Sequence, residues 1–351
     1  MTAESMLSCR SVVLHEDDVA MTHGANSAFA ELFACGSCSA GSAMVPCPWF
    51  PEAADLAVTN RELDLGVRLT LTSEKRPYRW RPLTAPPRSA GITDEFGYFW
   101  ADVTSVRRSA VPEAVEIELR AQIDTALATG IDVTHLDGHM GAAYMPEFVD
   151  IYLRLGRDYR VPILLVKDIV PSNPIQYSEA TSVERYNAVV AEARKNGFPI
   201  FEMMLETPWH RVSDAETTYH EIFRNIPLGL SFLAFHFNAP GDFDVVEPEE
   251  AHIRTEEYAL FRTPQIAKWL QQYGLEAVGF RKIRDDLRSQ WAEDPLVHQG
   301  KLPALTMHCS LTLGAWPRRP PTTASGFRSA GQDARLKTSY CRRLNKRRNR
   351  L

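Results

Sequence analysis

Short apolar runs alternate with amphipathic segments along most of this chain, and that alternation limits the fold more than any other feature. Eight runs read as strands: SVVLH (11–15), SAMVP (42–46), LDLGVRLTL (63–71), DVTHLD (132–137), PILLV (162–166), PIFEMML (199–205), LSFLAFHF (230–237) and EAVGF (276–280). Several are separated by helical periodicity. In PEAVEIELRAQIDTALATG, Val115, Leu119, Ile123 and Leu127 recur every four residues, with Pro112 near the start and Gly130 after the end. PEFVDIYLRLGRDY, SVERYNAVVAEARKNG and TPQIAKWLQQYG follow the same plan. Strands joined through helices pair in parallel and are covered on both faces. Eight such units predict a single α/β domain over residues 11–290, a distorted (β/α) barrel of the TIM-like kind. Residues 73–110, rich in Pro, Arg and aromatics (YRWRPL, EFGYFW), break the pattern and are expected to form an insertion near the barrel mouth.

Composition excludes several classes. With 351 residues, 44% hydrophobic and 24% charged, the chain can bury a large core. No apolar run reaches the ~18 residues of a membrane span, and MTAESMLSCR lacks the basic and apolar regions of a secretory signal, so a cytoplasmic location is expected. Six cysteines are too few for a disulfide framework, and Cys35, Cys38 and Cys47 lack the second close pair of a structural zinc site. The net charge of −5 hides an asymmetry: residues 295–351 hold 12 Lys and Arg against one acidic residue, Asp333. That tail has no apolar periodicity and reads as a disordered basic extension. Nothing in the acidic body calls for a nucleic-acid partner.

In a barrel, sites form at the C-terminal ends of the strands. Asp17 and Asp18 follow the first run, Arg68 lies in LGVRLTL, His135, Asp137 and His139 occupy every second position of THLDGHMG, and His236 closes LSFLAFHF. Singly, adjacent aspartates are commonly a solvated turn and a lone histidine a hydrogen-bonded core residue. Agreement among four strand ends favours a site. One carboxylate with imidazole nitrogens suits a divalent transition ion, while a second carboxylate can deprotonate a water.

These residues resemble the YdjC/ChbG-type carbohydrate deacetylases from about residue 11 to 288. HEDDVAMTHGAN matches the family's strand-end Asp-Asp signature, DLGVRLTLTS its Gly-Val-His-Leu-Thr motif and THLDGHMG its Thr-His-Leu-Asp-Ser-His motif; TPWH and a later strand-end His follow in order. The resemblance implies a distorted (β/α) barrel that deacetylates N-acetylated sugars, such as chitooligosaccharides, with a divalent ion, magnesium or zinc, held by an Asp and two His. By position, Asp17 corresponds to the base that activates water, and Asp18 and His139 to metal ligands. His135 and Asp137 would orient those ligands, and His236 would be the acid for the leaving amine.

One departure stands out. Where the family motif has its remaining metal-binding His, this chain has Arg68. A guanidinium offers donors but no lone pair, so it cannot ligate a cation and repels one. Three readings follow: a weakened metalloenzyme, a site that uses Arg68 to polarise an acetyl carbonyl, or a sugar-binding relative without turnover. Trp209 and His210 of TPWH, and Tyr78, Trp80, Tyr98, Phe99 and Trp100 of the insertion, are candidates to stack on sugar rings, with ordinary packing as the alternative for each. The expected partner is a small carbohydrate, with a homodimer left open and no membrane contact.

Overall fold

The computed structural model describes residues 9–171, 177 and 179–293. The basic tail lies outside them. Among the described residues, seven parallel strands form one sheet: β1 (Arg10–Val19), β2 (Ala40–Ala43), β3 (Leu65–Leu69), β4 (Leu136–Gly138), β5 (Met203–Glu206), β6 (Gly229–Phe235) and β7 (Leu275–Ala277). The order is β4-β3-β2-β1-β6-β5, with β7 also paired to the start of β1. Every residue of β1 from Ser11 to Val19 is buried, as expected for a central strand of a parallel sheet with both faces covered. The sheet curls into a half-barrel with helices packed around it. Among the described residues, no helix is long and apolar enough to cross a membrane.

The run at 162–166 is the eighth expected strand, and it forms only single bridges. Leu136 N–H donates to Pro162 and Leu164 N–H to Leu136 O on one side; Phe201 N–H donates to Leu165 and Lys167 N–H to Phe201 on the other. It therefore spans the gap between β4 and β5 without a continuous ladder. Helix Pro112–Ala128 buries Val115, Leu119, Ile123 and Ala126, whereas Leu127 is exposed. A four-residue step overshoots the 3.6-residue turn, so three steps from Val115 rotate Leu127 off the buried face.

Residues 73–100 pack against the body through buried anchors. Trp80 and Phe99 are core residues, and Trp80 Nε1–H donates to Thr72 O at 2.8 Å. Tyr98 lies against the guanidinium groups of Arg79 and Arg81. Glu118, fully buried, accepts from Leu83 N–H, Thr84 N–H, the Thr84 hydroxyl and Gln122 Nε2–H at 2.6–3.0 Å. Glu118→Gln keeps the shape but turns an N–H₂ toward groups that are themselves donors. The expected cost is about 2–3 kcal/mol, read as a lower urea midpoint with unchanged slope; a midpoint within error of the parent would mean the clamp carries no stability.

Candidate active site

A bulge lets adjacent aspartates share one mouth. In a regular strand Asp17 and Asp18 would face opposite sides. The pairing of β1 with β2 shifts register between Glu16 and Val19, and such irregularities re-aim side chains. Asp17 and Asp18 are both buried to within 4% exposure and line a cleft of about 390 Å³ with Arg68, His139, Trp209, His236 and Arg254.

Arg68 is the hub. It stands opposite Asp137 in the β3–β4 register, so the two side chains leave the sheet on the same face. Its guanidinium reaches Asp137 Oδ2 at 2.5 Å, Asp17 Oδ2 at 2.8 Å and Asp18 Oδ1 at 3.2 Å. Arg254, from helix Ala251–Phe261, holds the other Asp18 oxygen at 2.8 Å and lies over the rings of Phe243 and Trp209. Burial disfavours ionisation of Asp18, but Arg254, His139 and Arg68 outweigh it and hold this carboxyl well below the usual range. Asp17 behaves in the opposite way. Burial pushes it up to about 7, against the pull of Arg68.

His139 reaches the mouth because the chain leaves the sheet before it. The expected strand at 132–137 is confined to β4, and a short 3-10 segment, His139–Tyr144, begins there with Met140 and Gly141 at positive φ. His139 Nε2 bonds Glu74 Oε2 at 3.0 Å, and Nδ1 faces Asp18 Oδ1 at 3.5 Å. Burial lowers its basicity, but the Glu74 and Asp18 carboxylates more than compensate and bring it up to about 8.

His236 sits one residue past β6, with Nε2 3.9 Å from Asp17 Oδ2. The Thr207 hydroxyl donates to Glu257 and so accepts from His236 Nδ1–H at 2.9 Å, which leaves Nε2 as the bare nitrogen. Burial first, helped by Arg254 and Arg68, keeps this imidazole neutral.

The other expected site residues divide. Trp209 lines the cleft and packs on His236 with ring centroids 4.8 Å apart. His210 is exposed and not among the residues lining that cleft. Asp137 bonds Arg68, and His135 lies fully buried behind the mouth, reaching Asp17 only through His15. Glu74 and Arg254 escaped sequence reasoning. Glu74 stands just after DLGVRLTLTS, where its carboxylate was the available signal, whereas Arg254 lies on a helix 236 residues from the aspartate it pairs with.

The family model of the YdjC-like proteins matches residues 11–272. The chain belongs to the YdjC-like family. A carbohydrate deacetylase of Thermus thermophilus is 30% identical over 278 residues, which span 79% of this chain and 95% of the relative. A carbohydrate deacetylase of Brevibacillus brevis is 32% identical over 152 residues, 43% of this chain and 58% of the relative. A solved structure from Enterococcus faecalis V583, provisionally named a cellobiose-phosphate cleavage protein, superposes with a TM-score of 0.64 at 18% identity over 79% of this chain and 99% of its own; this likeness speaks to the fold.

Two groups in this YdjC-like chain bear on a metal ion. His15, Asp17 and Asp137, all buried, offer ligand atoms within 4.8 Å of one another. In this arrangement their atoms are engaged, His15 with Asp17 and both carboxylates with Arg68. Asp18 Oδ1 and His139 Nδ1 are both buried without a well-formed hydrogen bond, although Asp18 Oδ1 also faces Arg68 Nε at 3.2 Å. Their 3.5 Å separation suits two ligands of one ion, because two bonds of about 2.1 Å at a tetrahedral angle span about 3.4 Å. The spacing of these two donors is compatible with an ion, but the Arg68 guanidinium 3.2 Å from Asp18 Oδ1 opposes a cation there. An ion there competes with the proton on His139, so its affinity rises with pH.

Proposed function

We propose that this chain is a hydrolase that removes acetyl groups from N-acetylated, chitooligosaccharide-like carbohydrates. The observation that carries the reading is the Asp17 carboxyl at the cleft, raised to about 7 and 3.9 Å from a neutral, open imidazole nitrogen of His236. A group with that proton affinity can take a proton from water near neutral pH and release it again. Asp17 is the base in this reading. The proton that Asp17 takes from water passes to His236 Nε2, 3.9 Å from the carboxyl, and from there to the leaving nitrogen. Trp209 supplies an apolar ring face for a pyranose, and Arg254 holds Asp18 in place. Asp18 and His139 would hold a divalent ion such as magnesium or zinc, which when bound lowers the pKa of a water and polarises the acetamide carbonyl.

Arg68 favours a second reading, a sugar-binding relative without turnover, because three carboxylates are already committed to its guanidinium. Acetate release from a panel of N-acetylated oligosaccharides, measured alongside bound metal, separates the two. Turnover supports the hydrolase; sugar binding without acetate supports the alternative.

The pH profile tests the role of Asp17. Its base form gains population as pH rises through about 7, so kcat/KM is expected to climb tenfold per pH unit below that value and level off above it. A profile already flat above about pH 5 would return Asp17 to an ordinary carboxylate and remove it as the base.

A further inference from the structure

A fully buried carboxyl stands behind His236. Glu257 lies on helix Ala251–Phe261, three residues after Arg254 and so on the same face. Three donors converge on its two oxygens. Thr207 Oγ1–H reaches Oε1 at 2.9 Å and Oε2 at 3.1 Å, the Tyr219 hydroxyl bonds Oε1, and the His236 backbone N–H reaches Oε2 at 2.8 Å. Thr207 and His236 each follow the last residue of the paired parallel strands β5 and β6, and the threonine hydroxyl lies 2.9 Å from His236 Nδ1. Thr207, Tyr219 and Glu257 are at most 2% exposed, and each of their side-chain oxygens has a partner. We propose that Glu257 is a positioning residue: through the Thr207 hydroxyl it fixes His236 as the Nδ1–H tautomer and so keeps a bare Nε2 at the cleft.

A hydroxyl has one proton. Donated to the Glu257 carboxylate, it leaves Thr207 only lone pairs to offer His236, and Nδ1 must then be the ring nitrogen that carries hydrogen. Without that acceptor Thr207 is free to donate to Nδ1, and the ring proton then sits on Nε2. There it blocks the step assigned to His236, a meaning that rests on the hydrolase reading given above. The charged state is served by the same bonds. When Nε2 takes a proton, Nδ1–H still donates to Thr207 and Thr207 to Glu257, so the imidazolium faces a carboxylate through one hydroxyl. When Nε2 passes the proton to the leaving nitrogen, the starting pattern returns, and Thr207 has kept its own proton throughout. One helical turn thus serves two side chains at the cleft: Arg254 holds Asp18, and Glu257 governs His236.

The surroundings keep Glu257 an acceptor. Burial pushes its carboxyl up to about 7, against the Tyr219 hydroxyl, the His236 amide, the Thr207 hydroxyl and the Arg254 charge. Burial first, then the Glu257 charge, raises the Tyr219 phenol well above its ordinary range, so that hydroxyl keeps its proton and donates. The Tyr219 ring is itself packed edge-on against Phe235 and Phe261, with centroids 5.9 and 5.5 Å away. A role confined to tying the helix to β6 needs only the bond from the His236 backbone, which a change at Thr207 leaves intact.

The test reads the ring ¹⁵N chemical shifts of His236 in the full chain without substrate, at a pH above the Glu257 value. The parent is expected as the Nδ1–H tautomer, by about tenfold or more over the other form. Thr207→Val leaves Nδ1–H buried without an acceptor, so the ratio should invert to mostly Nε2–H, while Thr207→Ser keeps the parent tautomer. In Glu257→Gln the His236 backbone N–H retains the amide oxygen, and the N–H₂ faces the Thr207 and Tyr219 hydroxyls. Thr207 then turns its proton to Nδ1, and His236 should again become Nε2–H. Should Glu257→Gln fail to fold, the valine and serine variants still decide, by inversion in the first and retention in the second. A parent that is already Nε2–H or protonated on both nitrogens, or inversion in neither or only one of the folded valine and glutamine variants, would overturn the proposal. Under the hydrolase reading the inverted variants also lose kcat by about 10²-fold with KM unchanged. A parent that releases no acetate while its variants invert supports the role of Glu257 and refutes only the hydrolase reading.

Discussion

Arg68→His is expected to make the stability of this protein depend on a divalent cation. The substitution removes the guanidinium that pairs with Asp17, Asp18 and Asp137, three carboxyls buried to 4% exposure or less. Removing one partner of a buried ion pair typically costs about 3–5 kcal/mol, because the other charge stays buried and uncompensated. In chelator the variant should therefore melt well below the parent. Added zinc or magnesium restores positive charge through Asp18, His139 and the new imidazole, and an ion at a hundredfold excess over its Kd returns about 2.7 kcal/mol. Arg68→Met is the control, with the same loss and no recovery. Thermal melts in chelator and in metal read both arms, and the imidazole variant should also release more acetate. If metal leaves the Arg68→His melt unchanged, the assignment of Asp18 and His139 as ligands is wrong.

Asp17→Asn is expected to lower acetate release by about 10²–10⁴-fold while sugar binding persists. An amide cannot take a proton from water, yet its oxygen can still accept from Arg68 or His15, and Arg68 keeps Asp18 and Asp137 as partners. Calorimetric titration with an N-acetylated oligosaccharide checks binding, and a coupled acetate assay checks turnover. Activity within tenfold of the parent would move the base elsewhere in the cleft.

Much of the fold was legible because its cause is local. A strand covered on both faces must be apolar along its length, and a helix packed on a sheet must repeat its apolar residues near every 3.6 positions. Those constraints act within about twenty residues, so SVVLH, LGVRLTL and LSFLAFHF announce β1, β3 and β6 unaided. The same logic put Asp17, Asp18, His139 and His236 at strand ends, and the fold brings them to one cleft. Local patterns overreach where pairing fails for reasons outside the segment. PILLV is as apolar as its neighbours but makes only single bridges, and Leu127 keeps a four-residue spacing while turning away from the core.

The sequence alone also exposed the substitution at Arg68, since a guanidinium cannot act as a ligand in any fold. What Arg68 does instead was decided by register and distance. Its pairing with Asp137 depends on how β3 aligns with β4, and its approach to both aspartates depends on the bulge in β1. Arg254 meets Asp18 across 236 residues of chain, and His15 meets His135 across 120. Such contacts leave no periodic trace, because a buried charge or imidazole is satisfied by whichever partner the packed barrel brings within about 3 Å, whatever its place in the chain.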